Sequence, residues 1–198
     1  MLPVQYRNEV RIEMKNQIRR WEWAGVVFII VAGASLHFLF EWSGFSRPVA
    51  LIAAVNESTW EHFKIAFWPA MFWALVEYPA LRNKTGNFGI AKAAGLLTMP
   101  AVIAVIFYAY TAITGQHFLL ADIVIFILAV VIGQSVSMRI ISAPPIEISW
   151  LRNLALGMIV IMLAAYSTLS YFPPWNFIFA HPETGEFGIL DDYHHDEH

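Results

Sequence analysis

The fold of this chain is decided around ten residues, most of them polar or aromatic, that lie between long apolar runs: Val55-Asn56-Glu57-Ser58-Thr59-Trp60-Glu61-His62-Phe63-Lys64. We call these residues the motif stretch. Of the 198 residues, 58% are hydrophobic and 14% are charged, whereas a soluble domain is about one quarter charged. Such a composition is typical of a protein that crosses the bilayer several times. We therefore expect an all-α fold, a polytopic membrane bundle of about five transmembrane helices.

Turn residues between the apolar runs define the expected spans. Ser58-Thr59-Trp60-Glu61 has the Ser-x-x-Glu form of a capping box, so we predict that the second span runs from near Ser58 to Leu81. An alternative span that starts at Pro48 and breaks at Pro69 would place the motif stretch near the middle of the membrane. The other spans are predicted at residues 21–42, 88–113, 117–142 and 148–171. Residues 1–20 then form an amphipathic cytoplasmic segment, 21–172 the helix bundle and 173–198 an extracytoplasmic tail.

The distribution of basic residues predicts the orientation. Cytoplasmic loops carry an excess of Lys and Arg. With the N-terminus inside, the outer segments carry Arg47, with Lys64 at the rim, and the inner segments carry the rest: Arg7 to Arg20, Arg82, Lys84, Lys92, Arg139 and Arg152. We therefore expect a multi-pass protein of the cell membrane, with its N-terminus inside and its C-terminal tail outside.

Several classes of function are excluded by missing motifs. The chain has no cysteine, so it has no disulfide and no thiolate nucleophile or metal ligand. A nucleotide-binding loop, a Gly-x-Ser-x-Gly elbow and a haem attachment motif are also absent. The basic run near the N-terminus is too short to predict a nucleic-acid partner. The expected partners are the lipid bilayer, a lipidic small molecule, and further copies of the chain or other chains of a membrane complex.

The predicted orientation brings ionisable residues from separate stretches to one outer level of the bundle. An ionisable residue at the bilayer centre costs about 2.5–3.5 kcal/mol, so such residues must pair, bind an ion or face water. His and carboxylate ligands suit zinc, iron or manganese, and a desolvated Glu with a basic partner suits metal-free acid/base chemistry. We predict one polar site whose catalytic candidates are Glu57, Glu61 and His62, and whose candidate metal ligands are His37, Glu41, Glu57, Glu61, His62 and His181.

Structural interpretations compete with this site. Helical spacing would put Glu57, Glu61 and Lys64 on one stripe and His62 about 100° away, and a carboxylate–carboxylate–amine stripe can neutralise itself. His37 and Glu41 are four residues apart, which is the spacing of a hydrogen-bonded helical pair.

Two further ionisable residues also have structural interpretations. Glu77 lies sixteen residues beyond Glu61, about 24 Å along a helix, where it would pair with Arg82 or Arg139 at the inner face. His117 is interpreted as a solvated loop residue.

Two stretches carry a resemblance to a known family: Leu36-His37-Phe38-Leu39-Phe40-Glu41-Trp42-Ser43-Gly44 and the motif stretch. With the Pro-x-Thr-Gly-x-x-Gly pattern of the tail, they resemble a family of small prokaryotic integral membrane proteins of unknown function that carries an Asn-Glu-Ser-x-Trp-Glu-His motif. The resemblance covers most of the chain and implies the topology and the importance of the motif, but no reaction. His37-x-x-x-Glu41 is also similar to the His/Glu pair of the emopamil-binding sterol isomerases, which by analogy implies acid/base chemistry on a lipid.

Three functions are compatible with an integral membrane protein that carries such a site. A membrane-embedded enzyme acting on a lipidic substrate predicts that Glu61→Gln abolishes activity without unfolding the protein. An ion- or proton-coupled transporter or channel predicts a water path from the outer site to Glu77 and Arg139. A non-catalytic subunit of a larger complex predicts full mutual pairing of the charged groups. The aromatic residues of the tail also predict that it can fold back over the outer surface.

Overall fold

A computed structural model describes residues 4–189, without the side chains of residues 4 and 6–8. Arg7, which contributed to the predicted orientation, and the end of the acidic tail at 190–198 lie outside this description. Within it, the helices are α1 (Val4–Trp42), α2 (Thr59–Leu81), α3 (Phe88–Thr114), α4 (Leu119–Ile141) and α5 (Ser149–Thr168), with a short 3-10 helix at Arg47–Leu51 between α1 and α2. The prediction of an all-α bundle is confirmed.

Four of these helices, α1, α3, α4 and α5, are long and apolar enough to cross a membrane. The fifth, α2, carries the buried ionisable residues Glu61, Lys64 and Glu77. The chain is therefore a multi-pass helical membrane bundle, whereas the count of five spans and the orientation stay predictions. We call the end where α1 stops and α2 begins the motif end, and the other end the opposite end.

The start of α2 at Thr59 agrees with the prediction of a helix beginning near Ser58. The alternative span from Pro48 to Pro69 is wrong, because Pro48 lies in the short 3-10 helix and Pro69 lies inside the continuous helix α2. Ser58 occupies the N-cap position but its side chain makes no capping hydrogen bond. The capping-box pattern thus predicts where α2 begins, although the Ser58 hydroxyl does not accept a hydrogen bond from the backbone N–H groups of the first turn.

The predicted N-terminal surface segment and the first span belong to one helix. α1 continues without interruption through residue 20, and a membrane-spanning stretch is found within Glu9–Trp42. Ile18 is fully buried against Leu81, Ala91 and Ile141. The N-terminal part of α1 is therefore packed on the opposite end of the bundle, in contact with α2, α3 and α4.

Glycines allow a close helix contact between α3 and α4. A Cβ atom added to Gly133 would lie 3.0 Å from the backbone oxygen of Gly95 and 2.5 Å from the Met99 side chain. Small residues at such crossings let two backbones approach and gain van der Waals contact, which replaces the hydrophobic effect as the driving force inside lipid. α5 packs against α3 on the outside of this pair.

The tail folds back over the motif end, as the sequence analysis expected for its described part. The Trp60 backbone N–H donates to Ile178 O at 3.0 Å, and the Asn56 side chain donates to Gly188 O at 2.8 Å. The Trp60 ring stacks on Phe179 with centroids 4.6 Å apart. Residues up to 189 therefore form part of the structure around the motif stretch.

Candidate metal centre

Three side chains of the motif end converge on one point. His37 lies near the end of α1, His62 lies in the first turn of α2, and Glu57 lies in the loop before α2. Glu57 Oε2 is 3.4 Å from His37 Nε2 and 3.8 Å from His62 Nε2. The potential ligand atoms of all three residues lie within 4.8 Å of one another. We call these three residues the His/Glu cluster.

The end of α1 brings His37 to this position through a Schellman motif. Gly44 has a φ of 67° and its N–H bonds to Glu41 O at 2.9 Å, while Phe45 N–H bonds to Phe40 O at 3.0 Å. These are the paired hydrogen bonds that close a helix at a left-handed residue, and a ring contact between Phe40 and Phe45 completes the motif. The chain leaves α1 sharply and returns to the motif stretch beside His37.

Glu57 does not share a helical stripe with Glu61 and Lys64, so that expectation is wrong. The helix starts two residues later, at Thr59, and Asn56 Oδ1 accepts a hydrogen bond from Ser58 N at 2.8 Å. This local turn, in which an Asn side chain replaces a backbone acceptor, directs Glu57 toward the two imidazoles instead.

A backbone hydrogen bond sets the tautomer of His62. Its Nδ1–H donates to Ser58 O at 2.9 Å, which leaves the lone pair on Nε2, the atom that faces Glu57. Metal-binding histidines commonly donate their second nitrogen to a carbonyl or carboxylate in this way, which fixes the ring and raises its basicity.

The charge state of Glu57 is set mainly by His37. The hydrogen bond with that imidazole, together with the positive charge that His37, His62 and His181 can carry, lowers the pKa of Glu57 below its ordinary value, although partial burial opposes the shift. Glu57 is therefore ionised throughout the neutral range. Its side chain is 46% exposed, so solvent and ions reach it.

Acid titration tests this arrangement. A carboxyl whose pKa is lowered by folding contributes stability above its unfolded pKa and loses that contribution as the pH falls through its folded pKa. We expect the difference in thermal midpoint between the wild-type protein and Glu57→Gln to shrink as the pH falls below the ordinary range of glutamate, where Glu57 itself becomes protonated. A difference that grows in that acidic range would contradict the lowered pKa.

A crevice of about 60 Å³ opens beside the His/Glu cluster. Its walls include His37 and Glu57, the exposed carboxylate Glu41, and the aromatic rings of Phe38 and Phe45. Both rings are also substantially exposed, at 50% and 41%. Glu41 therefore lines the crevice next to the His/Glu cluster. It is not one of the three residues whose potential ligand atoms lie within 4.8 Å of one another.

Glu61, the residue predicted to be central, lies in a separate and closed arrangement. Its Oε2 is 2.6 Å from Lys64 Nζ and accepts a hydrogen bond from Val55 N at 3.3 Å, while its Oε1 accepts one from Ser170 Oγ at 2.6 Å. Lys64 Nζ also donates to Ala50 O at 2.9 Å and contacts Ser170 Oγ at 2.7 Å. Both charged side chains are fully buried. We call this arrangement the Glu61–Lys64 clamp.

His181 is also occupied elsewhere. It is buried, and its Nδ1 accepts hydrogen bonds from the backbone N–H groups of Glu183 and Thr184 at 3.2 and 3.3 Å. In the neutral ring the proton is then on Nε2, which makes that atom a donor rather than a metal ligand. His181 thus organises the turn of the tail.

His117 is paired rather than simply solvated. Its Nδ1 lies 3.2 Å from Asp122 Oδ2, and the other oxygen of Asp122 accepts a hydrogen bond from the Tyr110 hydroxyl at 2.5 Å. His117 Nε2 is 4.0 Å from Glu183. This group borders the tail, and none of its members belongs to the His/Glu cluster.

A second buried charge cluster, near the opposite end, is formed by residues that the sequence analysis did not connect. Lys92 Nζ lies 2.8 Å from Glu22 Oε1 and also contacts Glu77. Ser137 Oγ donates to the same Glu22 oxygen at 2.8 Å, and Gln134 bonds to the Glu22 backbone. Glu22, Glu77 and Lys92 are buried and come from α1, α2 and α3. We call these three residues the inner triad.

The predicted partners of Glu77 are wrong, although its interpretation as an ion-paired residue is right. Lys92 provides the positive charge, whereas the guanidinium of Arg82 lies over the Tyr78 ring at 5.6 Å and Arg139 is exposed. A signal was present in the sequence: Lys92 is an isolated charge within an apolar stretch, and Glu22 lies at the start of one. An ionisable residue in such a stretch needs a partner.

Among the comparisons with known proteins, the match to one protein family is significant. No curated protein and no solved structure is significantly similar to the chain. A family of unknown function, DUF6512, matches residues 10–189, which include all the helices except the first residues of α1, the His/Glu cluster, the clamp and the inner triad. The chain belongs to this family of unknown function.

Proposed function

We propose that this protein is a membrane-embedded enzyme in which His37, Glu57 and His62 hold a divalent cation, zinc first, next to a lipidic or amphiphilic substrate. The observation that carries the proposal is the convergence of two imidazole nitrogens and one carboxylate oxygen. The same proposal places the protein in the cell membrane, with the motif end facing outward.

The spacing of the ligand atoms supports a metal. Zinc binds nitrogen and oxygen at about 2.0–2.2 Å in tetrahedral geometry, which separates neighbouring ligand atoms by about 3.3–3.6 Å. The separations from Glu57 Oε2 to the two imidazoles are 3.4 and 3.8 Å, so small side-chain adjustments would complete the site. Three protein ligands and one open position are typical of catalytic zinc, whereas structural zinc has four protein ligands.

The surroundings supply the other requirements of catalysis. A bound cation would polarise a substrate oxygen or make a bound water more acidic. Glu41, which lines the same crevice, is the carboxylate available to accept a proton. The exposed rings of Phe38, Trp42 and Phe45 beside it offer an apolar surface to a lipid chain. A substrate with a polar headgroup and an apolar tail would place the headgroup at the cation and Glu41 and the tail against the aromatic rings.

The carrier and subunit alternatives have less support. Between the His/Glu cluster and the inner triad, the described part of the bundle is filled by buried apolar side chains such as Ile29, Phe67, Met99 and Val130, where a carrier needs a polar path. A purely structural role accounts for the Glu61–Lys64 clamp, in which every charge is paired. It does not account for an accessible cluster beside a crevice.

Zinc binding to the purified protein is the direct test. To remove binding by the tail, His194, His195 and His198 are replaced by alanine in every variant. We expect titration calorimetry and elemental analysis to show one zinc per chain, with affinity reduced at least about 100-fold in His37→Ala, His62→Ala and Glu57→Gln. His117→Ala, a histidine at the same end paired with Asp122, is the matched control and should bind as the parent does.

Two results would contradict the metal centre. One is a parent protein that binds no divalent cation at micromolar concentration, which would leave the His37–Glu57 pair to metal-free acid/base chemistry. The other is an equal loss of affinity in His117→Ala, which would place the metal elsewhere.

A further inference from the structure

A cavity of about 600 Å³ lies at the opposite end of the bundle, far from the His/Glu cluster. It is an open cavity bordered by α1, the loop between α2 and α3, and the loop between α4 and α5. Its volume falls within the range of about 300–1,000 Å³ that is usual for small-molecule sites. The function proposed above makes no use of it.

The lining of the cavity is cationic. Arg11 and Lys84 contribute two positive charges, and no acidic side chain is among the described residues that line it. Ser142 adds a hydroxyl group and Asn83 adds an amide, whereas the Thr85 hydroxyl in the lining already donates to Ile141 O. Guanidinium, ammonium and hydroxyl donors together match the oxygens of a phosphate group.

The walls of the cavity are fixed by buried hydrogen bonds. The fully buried Asn87 donates to Pro144 O at 2.9 Å and accepts from Ile146 N at 2.7 Å, and Thr85 Oγ1 donates to Ile141 O at 3.0 Å. These bonds tie the loop before α3 to the loop after α4. A site held in this way binds with less ordering cost than a mobile loop.

The position of the cavity indicates the source of the phosphate. It lies where the helices of a membrane bundle reach the bilayer surface, and the apolar side chains of Met14 and Pro145 line it together with the basic ones. A phospholipid presents a charged phosphate next to an apolar glycerol and acyl region, which matches this mixed lining. Basic residues at a membrane surface attract anionic lipids.

We propose that this cavity binds the phosphate-bearing headgroup of an anionic phospholipid. Arg11 and Lys84 hold the phosphate, the Ser142 hydroxyl and the Asn83 amide orient it, and Met14 and Pro145 contact the start of the acyl chains. The proposal is independent of the metal centre.

The test compares lipids on the purified full-length protein in neutral detergent. We expect phosphatidylglycerol to raise the thermal midpoint and to remain bound in native mass spectrometry, whereas phosphatidylcholine does neither at the same concentration. In Arg11→Gln with Lys84→Gln, the affinity for phosphatidylglycerol should fall at least about tenfold. The matched control, Arg19→Gln with Arg152→Gln, removes two exposed basic residues outside the cavity and should retain binding.

Three outcomes would overturn the proposal. Equal stabilisation by phosphatidylcholine would show that charge is not recognised. An equal loss in the control variant would indicate general attraction to the basic surface instead of a site. Full stabilisation by inorganic phosphate alone, abolished by the Arg11 and Lys84 replacements, would identify a free-anion site instead of a lipid site.

Discussion

Replacing Lys92 with methionine is expected to prevent the protein from folding stably. Lys92 Nζ is the positive group between Glu22 and Glu77, and all three side chains are buried. Breaking a buried ion pair by removing one partner costs about 3–5 kcal/mol, because the remaining charge stays desolvated. Here two carboxylates would remain, and folded proteins in general are stable by only about 5–15 kcal/mol.

The measurement is the yield of monodisperse protein in detergent together with its thermal midpoint. The triple variant Lys92→Met, Glu22→Gln and Glu77→Gln removes the stranded charges and should recover much of the loss. Arg152→Met, at an exposed position, should behave as wild type. A Lys92→Met protein that is as stable as wild type would show that the inner triad contributes nothing to folding.

Glu61→Gln is the second replacement with a large expected effect, and the structure changes what it should do. The sequence suggested that this variant would lose activity while remaining folded. Glu61 Oε2 lies 2.6 Å from Lys64 Nζ within a fully buried clamp, so a neutral side chain leaves the ammonium of Lys64 without its counter-charge. We therefore expect a stability loss of about 3–5 kcal/mol.

A double variant separates structure from catalysis at this position. Glu61→Gln with Lys64→Met removes both charges and should regain most of the thermal midpoint that Glu61→Gln loses. Glu57→Gln, at the more exposed carboxylate, should stay folded and lose zinc instead. If Glu61→Gln were as stable as wild type yet lost zinc, Glu61 would belong to the metal centre after all.

The helix boundaries could be predicted from the sequence because each helix is specified by the residues within it and at its ends. Apolar runs bounded by turn residues gave α2 to α5 to within a few residues, and Ser58 marked the start of α2. The tail was expected to fold back because its aromatic residues need apolar neighbours, and Phe179 stacks on Trp60. These signals are local or compositional, so one sequence contains them.

The partners of the charged residues could not be predicted in the same way. Whether Glu77 meets Lys92 or Arg139 depends on how α2, α3 and α4 are rotated about their axes, and periodicity is weak in helices that are apolar on all sides. The prediction for Glu57 assumed that this residue belongs to α2, whereas α2 begins two residues later, at Thr59. The local turn made by Asn56 reverses the conclusion about which side chains it faces.

The Glu61–Lys64 clamp also has a consequence for biosynthesis. Ser170, which bonds to both charged groups, follows α5 and is synthesised more than one hundred residues after Glu61. While the chain is being inserted, Glu61 and Lys64 have each other and the backbone groups of Val55 and Ala50, which precede α2. The motif end is completed only when the last helix arrives, so an incomplete chain carries an unfinished polar site that distinguishes it from the finished protein.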